Sequence, residues 1–401
     1  MVPALFLLGL NEGIAVPSRH RTAETRPELP ALLAEDARIV ASVGVTTVRG
    51  HTASFPGGSF FAMQAGGNAQ TDVDLWVHAL QNAKMEPVLM VSPWPGNATA
   101  KFTAQYVPTD LPAYAAYVRD IVERYDGDGA KDMPGLLAPV RYFEVDNEPD
   151  LKNSMRPRDD DGSAVAPENF CTPSQYAQVL IASSVAIHTA SAEARVLNGG
   201  FFRPGAPAGR AYMDAVFAIA GVRDAVDVLS LHTYAQDAGE TLERAIANGR
   251  AAAPGKPIWI TETSVRADGD EALQAHRMVA IVARAAAAGA SRLYWHTLID
   301  PPTWVKGRTA FGTNSLFRAN RPGQPITEKP IGAAFRALNR HLAADDLTGA
   351  MADGAGAVRL KSGAILLYEG TRVATHGGES LSTRTKIADG ATASAPAWLL
   401  P

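Results

Sequence analysis

The chain lacks a second cysteine. Of its 401 residues only Cys171 carries a thiol, so no internal disulfide framework exists, and neither does a cysteine-rich metal site. It also lacks an excess of charge. The formal net charge is −4 with 19% charged residues, which gives no basic surface for nucleic acid or an anionic membrane. No apolar run approaches the roughly 20 residues of a membrane span. Residues 3–10 are apolar, but no positive segment precedes them and no small-residue cleavage site follows. They read as a first strand, and no compartment is assigned. The stretch that follows, Gly9-Leu10-Asn11-Glu12-Gly13, lacks the glycine spacing of a dinucleotide-binding turn.

What is present is a hydrophobic content of 46%, ample for a large core. It is arranged as short apolar runs alternating with amphipathic periodicities. Strands are expected at 4–10, 46–49, 87–92, 140–146, 195–199, 226–232, 257–261 and 292–296, each bounded by glycine, proline or polar residues, as buried parallel strands are. Helices are expected at 29–43, 72–84, 111–124, 173–190, 210–220, 240–250, 271–288 and 329–342. Thr71 and Thr172-Pro173 fit helix starts, and Gly44 and Gly289 fit helix ends. Eight strands alternating with eight helices point to a (β/α)8 TIM barrel over residues 1–344. An open doubly wound sheet is the alternative.

From about residue 345 the pattern turns to short strand-like runs. A hairpin is expected across Lys361-Ser362-Gly363, with further strands at 371–374 and 383–387. Residues 345–401 are therefore expected to form a small C-terminal antiparallel β appendage on the barrel.

The connections after the strands are long, at 11–28, 50–70, 93–110 and 150–171. Barrels elaborate their catalytic face in this way. The fourth strand ends in Asp146-Asn147-Glu148-Pro149-Asp150. Three carboxylates at a buried strand's exit are costly to desolvate unpaired, so they belong at a cleft. The seventh strand ends in Thr261-Glu262-Thr263. Two carboxylates at strand ends are the apparatus of glycoside hydrolysis. A separation of about 5–5.5 Å goes with retention, and about 6.5–9.5 Å with inversion.

These residues resemble clan A of the retaining glycoside hydrolases. Asn147-Glu148-Pro149 is similar to that clan's acid/base motif on strand four, and Ile260-Thr261-Glu262 to its nucleophile strand seven. Leu231-His232-Thr233-Tyr234 resembles its strand-six motif, in which the histidine lines the site and the tyrosine contacts the nucleophile. Arg49 matches an arginine that supports the nucleophile, and Trp295 matches the aromatic platform under the sugar. Gly312, Leu316 and Lys329-Pro330 resemble the approach to the last helix. The resemblance runs in order over roughly residues 4–342, and the stretches 143–151 and 229–234 look most like family 39. Asp146 stands where that family usually has tryptophan, and Thr263 where an aromatic residue is common.

The resemblance implies that Glu148 acts as acid and then base, and Glu262 as nucleophile. It also implies that Asn147 donates to the sugar 2-OH. The substrate would be an oligosaccharide, polysaccharide or glycoside, with no cofactor and no metal. His232 and His296 would orient hydroxyls. Trp94, with Phe55, Phe60, Phe61 and Trp304, lies in post-strand loops and would form outer platforms. Asn11-Glu12 repeats the Asn-Glu pair without proline on strand one and reads as structural or as part of the rim. Two other readings stand beside this one. One is a carbohydrate-binding pseudoenzyme on the same barrel. The other is a metal-dependent barrel hydrolase using His51, His232, Glu262 and His296, although no His-x-His pair occurs.

Overall fold

The structure is a computed structural model. It describes residues 5–11, 29–50, 69–93, 107–108, 110–151, 171–234, 241–300, 313–318, 326–354 and 356–401. Trp94, His51, the loop phenylalanines, Trp304 and the acidic loop after Leu151 lie outside these residues.

Nine parallel strands form one sheet: β1 (Leu7–Asn11), β2 (Thr47–Gly50), β3 (Glu86–Val91), β4 (Tyr142–Val145), β5 (Arg195–Asn198), β6 (Phe201–Phe202), β7 (Leu229–His232), β8 (Ile258–Thr263) and β9 (Arg292–His296). Their order is β5-β4-β3-β2-β1-β9-β8-β7-β6. Leu197 of β5 also bridges Val228 beside β7. With the intervening helices this is the (β/α)8 barrel. Residues at the ends of β4 and β8 therefore correspond to the expected fourth and seventh strand ends, with the two-residue β6 as an addition. The strands are buried almost throughout, β8 along its whole length, as the unbroken apolar runs require.

The helices are α1 (Leu29–Ser42), α2 (Ala69–Asn82), α3 (Leu111–Tyr125), α4 (Pro173–Ala190), α5 (Pro207–Phe217), α6 (Val222–Ala225), α7 (Leu242–Ala252), α8 (Glu271–Ala287) and α9 (Pro330–Ala344). Helix α4 starts on a capping box. Thr172 Oγ1 accepts the Gln175 N–H, and the Gln175 side chain accepts the Thr172 N–H, satisfying two otherwise orphaned donors. Pro173 sits at the first helical position, where its missing N–H removes no bond. Helix α2 begins at Ala69, two residues before Thr71, so Thr71 lies within the helix rather than capping it.

The chain divides into two units. Residues 14–37 and 47–261 form one, built on β2 to β7 and α2 to α7. In it Val88 pairs with Tyr142, and Val145 with Asn198. Residues 1–13, 38–46 and 262–401 form the other. There β1 pairs with β9 in parallel, placing Leu10 opposite Trp295 and Asn11 opposite His296.

The second unit also holds an antiparallel pair, β10 (Phe317–Arg318) and β11 (Thr327–Glu328), and the C-terminal strands. A six-stranded antiparallel sheet runs β12 (Met351–Ala352), β13 (Ala357–Arg359), β14 (Ile365–Leu367), β19 (Ala397–Leu399), β16 (Gly378–Ser380), β17 (Lys386–Ile387). A two-stranded sheet pairs β15 (Thr371–Val373) with β18 (Thr392–Ser394). Ala357, Ile365, Leu367, Ala397 and Leu399 bury together between these strands. The sheets pack on α9. Trp398 stacks on His341 with ring centroids 4.7 Å apart, and Glu379 accepts from Arg340 at 2.7 Å and pairs with His341 at 2.9 Å. Among the described residues no helix is long and apolar enough to cross a membrane.

Candidate active site

The turn that follows β4 carries two left-handed residues. Asp146 and Glu148 have φ of +69° and +46°, left-handed values that side chains seldom adopt and that cluster at functional sites. Hydrogen bonds on both flanks hold the turn in this shape. Toward β3, the Asp146 N–H donates to Val91 O at 2.9 Å, and the Ser92 hydroxyl donates to Asp146 Oδ1 at 3.0 Å. Toward β5, the Glu148 N–H donates to Gly199 O at 2.6 Å. Asp150 is fully buried and accepts the Phe202 N–H at 2.9 Å. Asp146, where tryptophan was expected, is thus an anchor of the turn.

Glu148 is 8% exposed. Its Oε1 lies 2.7 Å from Nδ1 of His232, the fully buried last residue of β7. An imidazole nitrogen can accept a proton from a carboxylic acid or donate one to a carboxylate. This pairing therefore serves the carboxyl in either protonation state.

Arg49, at the penultimate position of β2, is wholly buried. Its Nε bonds Glu144, also wholly buried, and its Nη2 donates to Asn147 Oδ1 at 2.8 Å. Glu144 accepts from Ser230 Oγ at 2.6 Å as well. A buried charge pair survives only when its remaining lone pairs are filled, and Ser230 and Thr261 fill those of Glu144. The consequence for Asn147 is orientation. With Oδ1 engaged by Arg49, its amide NH2 is the group left to donate outward.

Tyr234, two residues beyond His232, is half-buried, and its ring lies 6.2 Å from that of Phe202. Phe202 in turn carries the Arg203 guanidinium over its face at 5.9 Å.

In the second unit Glu262 is 8% exposed, near the end of β8. Asn11, the last residue of β1, is fully buried and donates Nδ2 to Glu262 Oε2 at 2.8 Å. The same Nδ2 lies 3.2 Å from Nδ1 of His296. A neutral donor on a carboxylate favours its ionised form. Asn11, read as a structural or rim residue, donates directly to Glu262. No local signal marks it, since its partner is 251 residues away.

Trp295 requires a correction. It is fully buried, and its indole N–H donates to Asn314 O at 3.0 Å. A sugar platform needs an open ring face, and Trp295 has none here. Side chains alternate along a strand, so the next residue, His296, takes the side on which Asn11 lies. Behind Trp295, Lys329 donates to Asp300 Oδ2 at 3.0 Å and to Thr313 O at 2.9 Å. Burial raises the Asp300 carboxyl, with Lys329 opposing. Cys171 is a buried thiol pushed up to about 12, chiefly by burial, and is chemically inert.

The comparisons with known proteins agree with the fold. Residues 136–292, which include Glu148, His232 and Glu262, match the family model of a glycosyl hydrolase catalytic core. On this match the protein is a glycosidase. A family 39 glycoside hydrolase from Bacteroides cellulosilyticus WH2 superposes with a TM-score of 0.67 at 13% identity, over 99% of this chain and 81% of that one. A glucosidase from Croceicoccus marinus gives a TM-score of 0.58 at 15% identity, over 96% of this chain and 81% of the other. A family 39 β-xylosidase from Caulobacter crescentus gives 0.56 at 18% identity, over 92% and 78%. At these identities the likeness is one of fold. No curated protein matches the chain in sequence.

Proposed function

We propose that the protein is a retaining O-glycosidase working by double displacement, with Glu148 as acid/base and Glu262 as nucleophile. The observation that carries this reading is the contrast between the two carboxyls' partners. Glu148 faces an imidazole nitrogen that can share a proton, whereas Glu262 accepts from an amide NH2, a group that can only donate. One group is thereby suited to cycle its proton and the other to stay charged. Glu148 follows β4 and Glu262 lies near the end of β8, strands of one sheet, and chemistry in such barrels sits at the strands' C-terminal ends. In this reading residues 1–344 form the catalytic barrel and residues 345–401 a supporting appendage.

In the first step a Glu262 oxygen attacks the anomeric carbon. The glycosidic C–O bond breaks, and Glu148 passes its proton to the departing oxygen. Asn147, held by Arg49, donates to the sugar 2-OH, a contact that strengthens as the oxocarbenium-like transition state forms. In the second step Glu148, now a carboxylate, takes a proton from water. The oxygen of that water attacks the same carbon, and the bond to Glu262 breaks. His232 donates to Glu148 while it is ionised.

The substrate is a glycoside, oligosaccharide or polysaccharide, and the β-xylosides and glucosides suggested by the similar structures are the first to screen. The test is Glu262→Gly. We expect hydrolysis of activated aryl glycosides to fall by at least about three orders of magnitude. Azide should restore turnover, giving a glycosyl azide of inverted anomeric configuration. Undiminished activity in that variant would overturn the assignment.

A further inference from the structure

Beside the acid stands a turn of two adjacent glycines, Gly199 and Gly200, directly after β5. Neither has room for a side chain. A Cβ on Gly199 would lie 2.5 Å from Val145 O and 2.8 Å from Asp146 O. Gly200 has φ +59°, and a Cβ on it would lie 2.1 Å from Nε2 and 2.4 Å from Cδ2 of His232. The backbone at Gly200 is therefore packed directly against the imidazole. On its other edge the ring meets Glu148 through Nδ1. His232 is held between the two.

The same dipeptide also holds the main chain of the acid, because Gly199 O accepts the Glu148 N–H at 2.6 Å. A third group fastens the dipeptide to β4. The Gly199 N–H donates to Tyr176 Oη at 2.6 Å, and the Tyr176 hydroxyl donates to Val145 O at 3.0 Å. Tyr176 comes from α4 and is fully buried. Burial raises its hydroxyl well above the usual tyrosine range, so it remains a donor at all working pH.

We propose that Gly199, Gly200 and Tyr176 are positioning residues for the acid/base. Gly199 fixes the Glu148 backbone, Gly200 presses His232 against the Glu148 carboxyl, and Tyr176 locks the pair of glycines to the strand that carries the acid. The assignment rests on the glycosidase reading and deepens it, since it makes acid catalysis, and not substrate binding or nucleophilic attack, the step these residues control.

Leaving-group chemistry separates the two kinds of effect. A 2,4-dinitrophenyl glycoside expels its leaving group without a proton, whereas an unsubstituted phenyl glycoside needs one. In Gly200→Ala the added methyl group displaces the imidazole. We expect kcat/KM for the phenyl glycoside to fall at least about tenfold more than kcat/KM for the dinitrophenyl glycoside, with a shift in the alkaline limb of the phenyl pH profile. The double variant Gly200→Ala/His232→Ala has space for the methyl and should be no worse than His232→Ala alone. Tyr176→Phe, which keeps the ring and removes the hydroxyl, should give a weaker loss of the same selective kind and serves if Gly200→Ala does not fold. Equal losses on both substrates, or additive effects of the 200 and 232 substitutions, would overturn the positioning role while leaving the glycosidase reading intact. A wild-type protein inactive on the whole aryl series would instead remove the glycosidase reading, and this assignment with it.

Discussion

Asn11 Nδ2 donates to Glu262 Oε2 at 2.8 Å, linking the end of β1 to the acid on β8. Both side chains are buried, where a hydrogen bond to a charged group contributes about 1.5–3 kcal/mol. Asn11→Ala should therefore lower kcat/KM on aryl glycosides roughly 10- to 150-fold. Asn11→Asp should lose more, because it sets a second carboxyl against Glu262. Steady-state kinetics on one activated substrate distinguishes the three proteins, and wild-type activity in both variants would remove Asn11 from the site.

The buried pair Arg49–Glu144 makes a different forecast. Glu144→Gln keeps shape and leaves Arg49 charged without its carboxylate, at a cost of about 3–5 kcal/mol. Denaturant titration should show that loss. Arg49→Lys keeps the charge but cannot form both the Glu144 and the Asn147 bonds from one fork. It should lower activity more than stability, because Asn147 loses the contact that orients it.

Lys329 and Asp300 allow a test in which pH changes the size of a mutational effect. Burial raises the Asp300 carboxyl, and Lys329 holds it down. Lys329→Met removes that restraint, so the carboxyl rises further. An acid raised in the folded state weakens folding when ionised, and the penalty is relieved as pH falls through its folded value. The variant should be less stable by about 3 kcal/mol near neutrality. The difference from wild type should shrink as the pH is lowered. A difference independent of pH would contradict this account.

His341 carries the opposite sign. Burial lowers it from the usual histidine value, with Glu379 opposing and Arg340 assisting. Its folded form therefore binds fewer protons than the unfolded chain just below the ordinary histidine range, so stability falls as pH drops through that window. Amide protection factors in β14 and β19, which already allow for the slower intrinsic exchange in acid, should fall as the pH is lowered from about 7.5 to about 5.5. His341→Gln should flatten the dependence.

How much of this was legible in the sequence varies by feature. Helix α4 is readable to the residue, 173–190, because Thr172-Pro173 and Gln175 encode its start chemically. The start of α2 is missed because Thr71 imitates a cap inside a helix already under way. β6 and α6 are missed because two and four residues carry no periodic signal. Glu148 and Glu262 stand out as acids ending apolar runs. Trp295 and His296 could not be assigned to faces, since every residue of β9 is buried and an unbroken run has no period of two. Asn11 and the Gly199–Gly200 turn gain meaning only from contacts distant in sequence.

Strand β19 lies between β14 and β16 in the middle of the six-stranded sheet, pairing with both. Residues 397–399 are thus the keystone of a sheet whose other strands begin at residue 351. On the ribosome, strands β12 to β14 can pair as they emerge, but the sheet cannot close until residue 399 has left the exit tunnel. The ladder edge of β14 stays open until then, and an open edge invites pairing with other chains. Of this sheet's strands, the one latest in sequence is the one that hides it.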